Sequence, residues 1–278
     1  MKLPNPPLLP RSPVPGRFTH KVSVYRATAV LFLAVLAAGP AAQSQKIAIP
    51  SYAEPGSKVW NTWAAYPQAV AIMIVNLDNG DDTTFYSSVL SAVQSAQASG
   101  IKVLGYTYTE YGERNPNTVE EKIAAAETNY GLNGIFLDQA PTSCTASTPF
   151  NETTLAYYQI LSTYVHTQFN GTVVLNPGTP PPTDCWMSVA DILVTYENSG
   201  ISNYQHSYSA MPWVNNYPAS RFWNLLYAVS KQSDMQTAFT LAQQRNVGLI
   251  YVTSDGGSNP WDGIPRYWAA ETVLAAEK

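Results

Sequence analysis

Eight short apolar runs recur through residues 46–254, each closed by polar or small residues and most followed by a stretch of helical period. They are KIAIPSY (46–52), VAIMIVN (70–76), IKVLGYTYT (101–109), GIFLDQ (134–139), TVVLNPG (172–178), DILVTYEN (191–198), RFWNLLYAV (221–229) and VGLIYVTS (247–254). Near-continuous Val, Ile and aromatic residues suit strands buried on both faces, the condition of a parallel sheet. Between the runs, Val119, Ile123, Ala126 and Tyr130 fall on one helical face. Tyr157, Leu161, Tyr164 and Gln168 mark a second helix, and Met235, Phe239 and Ala242 a third. Thr118 with Glu121 reads as a capping box at the start of the first of these. Residues 83–98 and 266–277 are further helical stretches. Gly100, Gly131, Gly171 and Gly248 stand between a helix and the next strand, as helix stops. Eight strands with intervening helices predict one (β/α)8 TIM barrel of the α/β class over residues 46–278, with a doubly wound open sheet as the alternative. Segments 176–185 and 198–220 read as long loops on that frame.

Residues 1–45 have a different character. Lys2, Arg11, Arg17, Lys21 and Arg26 precede the uncharged run ATAVLFLAVLAAG (27–39), and small residues follow it. That is the pattern of a cleaved secretion signal; an uncleaved anchor, tethering the chain to a membrane through residues 27–42, is the alternative. Past residue 45 the chain has 19 acidic and 10 basic residues, a net charge of −9. This argues against nucleic acid, whose binding is driven by cationic side chains. No phosphate-binding glycine loop precedes a helix, so no nucleotide is expected. The expected location is secreted or cell-surface. Cys144 and Cys185 are then expected to form a disulfide, and Asn151 and Asn170 head acceptor sequons. Two thiols without ligand-spaced histidines predict neither a metal nor another cofactor. A monomer is the default expectation.

In such a barrel the carboxyl ends of the strands open onto the active site. Those ends are Tyr52, Asn76, Tyr106 with Thr107, Asp138, Asn176, Glu197, Tyr227, and Thr253 with Asp255. Aromatic faces to stack on pyranose rings, with amides and hydroxyls to read sugar oxygens, make up the inventory of a glycan site. Asp138 and Glu197 are two carboxyl groups on different strands, and glycosidic hydrolysis commonly uses such a pair. The competing reading is that each acid caps a helix or binds an arginine. Glu120, Glu121 and Glu127 are read as a solvated helix face, and Asp78, Asp81 and Asp82 as a turn without calcium-loop spacing. No G-x-S-x-G elbow and no H-E-x-x-H pattern occurs. His206 falls in the loop after the sixth strand, within reach of a site there. The alternating acids of the chitinase-type fourth strand are absent before Asp138.

The stretches IPSYAEPGSKVW, AIMIVNLDNGD, VLGYTYTEYGERN, GIFLDQ, VVLNPGT, DILVTYEN and IYVTSDGGSNPWDGIPRYW occur in order across residues 46–268. Together they resemble the spherulin-4-like cell-surface proteins of fungi, slime moulds and bacteria. That family includes the fungal glycoside hydrolases of family 135. The resemblance implies a (β/α)8 barrel cleaving, from within the chain, the α-1,4-linked, partly deacetylated exopolysaccharide galactosaminogalactan. It implies Asp138 as nucleophile, Glu197 as general acid/base, and retention of configuration. Asn76, Tyr106, Asn176 and Tyr196 match family positions expected to line the glycan groove, with Tyr52, His206, Thr253, Asp255 and Trp261 beside them. One position departs from the family's pattern: a second acid usually follows the strand-four aspartate, and here it is Gln139. A glutamine there can still support its neighbour by hydrogen bonding. If the second acid is catalytic, the chain is instead a non-catalytic glycan binder or a structural wall or spore-coat protein.

Overall fold

A computed structural model describes residues 45–276 of the chain; the expected signal or anchor lies outside them. The strands are β1 (Lys46–Ile49), β2 (Val70–Val75), β3 (Lys102–Tyr108), β4 (Gly134–Asp138), β5 (Thr172–Leu175), β6 (Ile192–Ser199), β7 (Phe222–Tyr227) and β8 (Leu249–Val252). They pair in parallel in chain order, and β8 closes on β1 through Lys46 with Leu249 and Ile47 with Ile250. The helices are α1 (Lys58–Ala64), α2 (Ser87–Ala98), α3 (Pro116–Tyr130), α4 (Thr154–Phe169), α5 (Ile201–His206), α6 (Gln232–Gln244) and α7 (Trp268–Ala276). A 3-10 turn, Cys185–Ser188, takes the place of a helix between β5 and β6. The expected TIM barrel is therefore the observed one, as a single domain, with the eight strands where the apolar runs lie.

Alternation along each strand divides the core in two. Within the barrel, Phe136 packs between Tyr106 (centroids 6.1 Å apart) and Trp223 (5.5 Å). The other faces pack outward: a side chain on Gly105 would meet Leu132, Ile135 and Ala126, on and beside α3. β4 can begin only with glycine. Gly134 has φ +139, and an added Cβ would lie 2.0 Å from the Thr172 carbonyl oxygen, so any larger residue would push β5 away.

Several local expectations shift. Asn115, not Thr118, caps α3, its side chain accepting from the Asn117 amide, with Pro116 in the first turn where no N–H is missed. The segment 198–220, expected to be more loop than helix, holds the short helix α5. Cys144 and Cys185 are bonded, with Cα atoms 6.4 Å apart, tying the segment after β4 to the one after β5. Asn170 is exposed at the left-handed cap of α4, while Asn151 is half-buried beside Thr148, whose hydroxyl accepts from its amide. Among the described residues, no helix is long and apolar enough to cross a membrane.

Glu127 is the clearest correction. It is only 7% exposed, on the buried face of α3 with Val119, Ile123 and Tyr130, rather than on a solvated face. One carboxyl oxygen has no hydrogen-bond partner. Burial pushes its pKa up to about 7, against a smaller opposing effect from the backbone at Leu132. A raised folded-state pKa contributes stability that is fully present below the unfolded value and lost as pH rises through about 7. Ionised, the group costs about 3 kcal/mol. The variant Glu127→Gln should melt with the wild type near pH 4.5 and about 6–12 °C above it at pH 8.5. Calorimetric melts across that range check this; equal melting temperatures at alkaline pH would refute it.

Candidate active site

A cavity of about 520 Å³ opens at the carboxyl ends of the strands. Tyr52, Asn76, Tyr106, Asp138, Glu197, Tyr227 and Trp261 line it, with the turn residues Asp78 and Asn79 and the loop 257–260 at its rim.

Asp138 is the last residue of β4, two places beyond Phe136 and so on the same inward face. Its carboxylate accepts the Tyr106 hydroxyl (2.7 Å) and the Asn176 amide (2.8 Å). The same Asn176 nitrogen donates to Glu197 Oε2 at 2.7 Å. One amide thus touches both acids.

Glu197 reaches the cavity through an irregularity in β6. Val194 pairs with Trp223, whose ring faces the barrel interior, so unbroken alternation would turn Tyr196 inward and Glu197 outward. The register slips between Val194 and Tyr196, as at a bulge, and Glu197 pairs with Leu225, on the face that continues to the cavity residue Tyr227. Thr195 and Tyr196 both face α5 instead. The Tyr196 ring packs on Tyr204 and Tyr208 (4.8 Å each). Asn224, fully buried, accepts from the Tyr204 hydroxyl and donates to Thr195 Oγ1, which shares a hydrogen bond with Tyr208. This outer network occupies the residues on which the slip depends.

Burial, then the negative charge of Asp138, pushes the Glu197 pKa up to about 7; hydrogen bonds from Asn176 and Trp261 oppose the rise. Tyr52 and Tyr106 are held un-ionised by burial and by the same aspartate. The arrangement can keep one carboxyl protonated beside one carboxylate, the condition for paired acid and nucleophile chemistry.

The aromatic wall is tied down at its ends. Tyr52 meets Tyr106 edge-on (5.5 Å), and its amide donates to the Trp261 carbonyl (3.1 Å). Trp261 in turn meets Tyr227 edge-on (5.7 Å). Asn76 lines the cavity with its carbonyl oxygen buried and unpartnered.

Other expected site residues lie elsewhere. Tyr196 packs outward on α5, and His206 is exposed at the end of that helix; neither lines the cavity. Thr253 is fully buried, and its hydroxyl accepts from the Asp255 amide while the Asp255 carbonyl accepts from Ala228. Both residues shape the loop after β8 rather than the cavity wall. Gln139 is also absent from the lining. It sits at φ +54, and its carbonyl accepts from the Tyr111 amide.

Asp78 and Asn79 were not expected at the site. They adopt left-handed conformations (φ +47 and +53), and Gly80 follows so close to β3 that a Cβ would lie 2.3 Å from the Tyr106 carbonyl oxygen. Arg114 grips Asp81 (2.5 Å) and stacks on Tyr108, fixing the turn against β3. The available signal was the Asn-Gly pair directly after a strand, which marks a tight turn at the barrel mouth.

The fold and site together define a (β/α)8 barrel with a bridged pair of strand-end carboxyl groups. Residues 46–275 match Spherulin4, the spherulation-specific family 4, and the chain belongs to that family. Spherulin-4 of Physarum polycephalum is 28% identical over 227 residues, covering 77% of this chain. The chain spans 64% of that relative's length. The crystal structure of Aspergillus clavatus Sph3, solved in complex with GalNAc, has the same fold, with a TM-score of 0.69 at 20% identity over 84% of this chain and 98% of that one.

The charge coupling has a direct readout. A carbon-13 titration of the Glu197 carboxyl should give a midpoint near 7. In Asp138→Asn the midpoint should fall, because the charge that resists ionisation is gone. An unchanged midpoint would mean that the two groups do not sense each other.

Proposed function

We propose that the protein is a secreted or cell-surface glycoside hydrolase. It cleaves an α-1,4-linked, N-acetylgalactosamine-containing polysaccharide of the galactosaminogalactan type, within the chain and with retention. The observation that carries this reading is the single amide shared by Asp138 and Glu197. Its two distances cap the separation of the bonded oxygens at about 5.5 Å, their sum, which is short of the roughly 6.5–9.5 Å gap of inverting enzymes and leaves the spacing of retaining ones. The sugar class rests on family membership and on the GalNAc-bound relative of the same fold. Family membership and the disulfide support an extracellular setting. The acidic domain suits a partly deacetylated, hence cationic, chain.

In this mechanism the Asp138 carboxylate attacks the anomeric carbon while Glu197 delivers its proton to the departing glycosidic oxygen. The C–O bond to the leaving sugar breaks, and a glycosyl ester forms on Asp138. Glu197, now ionised, takes a proton from water. The resulting hydroxide attacks the anomeric carbon from the face that the leaving sugar occupied, and Asp138 is released. Two displacements restore the starting configuration. The Tyr52, Tyr106, Tyr227 and Trp261 rings supply stacking surface, and the Asn76 side chain lines the same cavity.

A second reading, a non-catalytic glycan binder, is favoured by one residue, Gln139 in place of an acid. The same assay decides between them. Purified galactosaminogalactan treated with the protein should release reducing ends, with activity falling as pH rises through about 7 because Glu197 must carry a proton. Asp138→Asn and Glu197→Gln should each lower release by about 10³-fold or more without loss of folding. With an activated substrate and azide, Glu197→Ala should yield the glycosyl azide of retained configuration. Binding without cleavage by the wild type, with activity appearing in Gln139→Glu, would establish the binder reading instead.

A further inference from the structure

Asn176 is expected from its sequence position to contact sugar, but its hydrogen bonds are already committed. Its side chain has two amide hydrogens; one goes to Asp138 Oδ1 and the other to Glu197 Oε2. Its carbonyl oxygen accepts from the Gly178 amide at 2.9 Å, which fixes the amide's orientation, since only an oxygen can take that bond. The residue is only 6% exposed. No donor is left to read a sugar hydroxyl.

The main chain of Asn176 is committed to β4 and the residues just after it. Its amide donates to the Leu137 carbonyl and its carbonyl accepts from the Ala140 amide, bracketing Asp138 from both sides. The Glu197 amide donates to the Gly178 carbonyl at 2.8 Å. Together with the bonds from Asn176 to Glu197 and from Gly178 to Asn176, this closes a ring between the end of β5 and the end of β6. Gly178 makes the ring possible: it sits at φ +67, and a Cβ there would point toward Glu197 Cβ, 3.9 Å away.

We propose that Asn176 is a positioning residue that holds Asp138 and Glu197 at the spacing of a double-displacement pair, rather than a sugar contact. This rests on the hydrolase reading above, which makes the pair a catalytic one. The bridge acts on both groups at once. It sets their separation before substrate arrives, and on Glu197 it engages a single oxygen, Oε2. A hydrogen bond to the ionised form also restrains the rise in the Glu197 pKa that burial and Asp138 produce.

The test separates the two roles for Asn176. Asn176→Asp keeps the volume and the acceptor for Gly178 but offers no amide hydrogens to the pair; Asn176→Ala removes the bridge outright. In both, kcat should fall about 100-fold, the cost of an ångström-scale misplacement, with KM nearly unchanged. In both, the carbon-13 titration midpoint of Glu197 should move upward from about 7. A rise in KM with kcat retained and an unmoved midpoint would make Asn176 a sugar contact and overturn the proposal. The wild type gives an arm that depends on neither variant folding: the nitrogen-15 signals of the Asn176 side-chain amide should titrate with Glu197 as pH passes through 7. Signals indifferent to that ionisation would also overturn the proposal. If the wild type releases no reducing ends, the hydrolase reading fails, while the amide titration still decides whether the bridge exists.

Discussion

Closure of the sheet through Lys46 and Ile47 against Leu249 and Ile250 is the constraint on which the rest of the molecule depends. A closed parallel barrel has no unpaired edge, and it sends every strand's carboxyl end to one mouth. It also forces inward residues of neighbouring strands to stack. Phe136, Tyr106 and Trp223 meet inside the barrel, so Asp138, one inward place above Phe136, stands over an aromatic floor. The low polarity of that floor and the nearness of two acids are one arrangement. Burial is the largest influence raising the Glu197 pKa, and the neighbouring aspartate is the next.

The strands were legible because parallel strands buried on both faces must be apolar throughout, and eight such runs leave few architectures open. The carboxyl ends were legible for the same reason, once the barrel was inferred. Facing was less so. Tyr196 and Glu197 are adjacent, and both were expected at the groove, yet only Glu197 is there. The choice is made by the slip in β6, which is held by Asn224, Thr195 and Tyr208, residues far apart in sequence. Periodicity cannot register an inserted residue whose cause lies on another strand. Glu127 shows the opposite failure. Its spacing, four residues after Ile123, placed it on the buried face, and the assumption that a charge faces water overrode the spacing. The Cys144–Cys185 bond needed only composition and compartment.

The backbone records where the chain is under constraint. Asp78, Asn79, Glu110, Tyr111, Gln139 and Ala228 are non-glycine residues with positive φ, and each follows the carboxyl end of a strand. Such conformations cost about 1–3 kcal/mol apiece and persist where the surroundings over-determine them. Among the described residues the other two, Asn170 and Asn246, follow helices, where asparagine takes this conformation readily. Strain outside helix caps is therefore gathered at the mouth, the face on which substrates of such barrels react.

Gln139 belongs to that set, which changes how its substitution for an acid should be weighed. Were β4 to continue, residue 139 would point outward, opposite Asp138. The chain instead turns left-handed there, and the Gln139 carbonyl is taken by the Tyr111 amide while the Asp138 carbonyl is taken by the Thr109 amide and hydroxyl. Position 139 is thus coupled to Asp138 through the main chain, by fixing the turn that ends β4. Any residue that tolerates the turn preserves that coupling, and glutamine does. The carboxylate that a family acid would add at 139 is a separate matter. It would bring a third charge near a pair whose chemistry depends on one group staying protonated and the other ionised. The surroundings of the pair already differ without it: Asp138 accepts from Tyr106 and Asn176, while Glu197 is buried, shares the Asn176 amide and has its pKa pushed up by burial and by its neighbour.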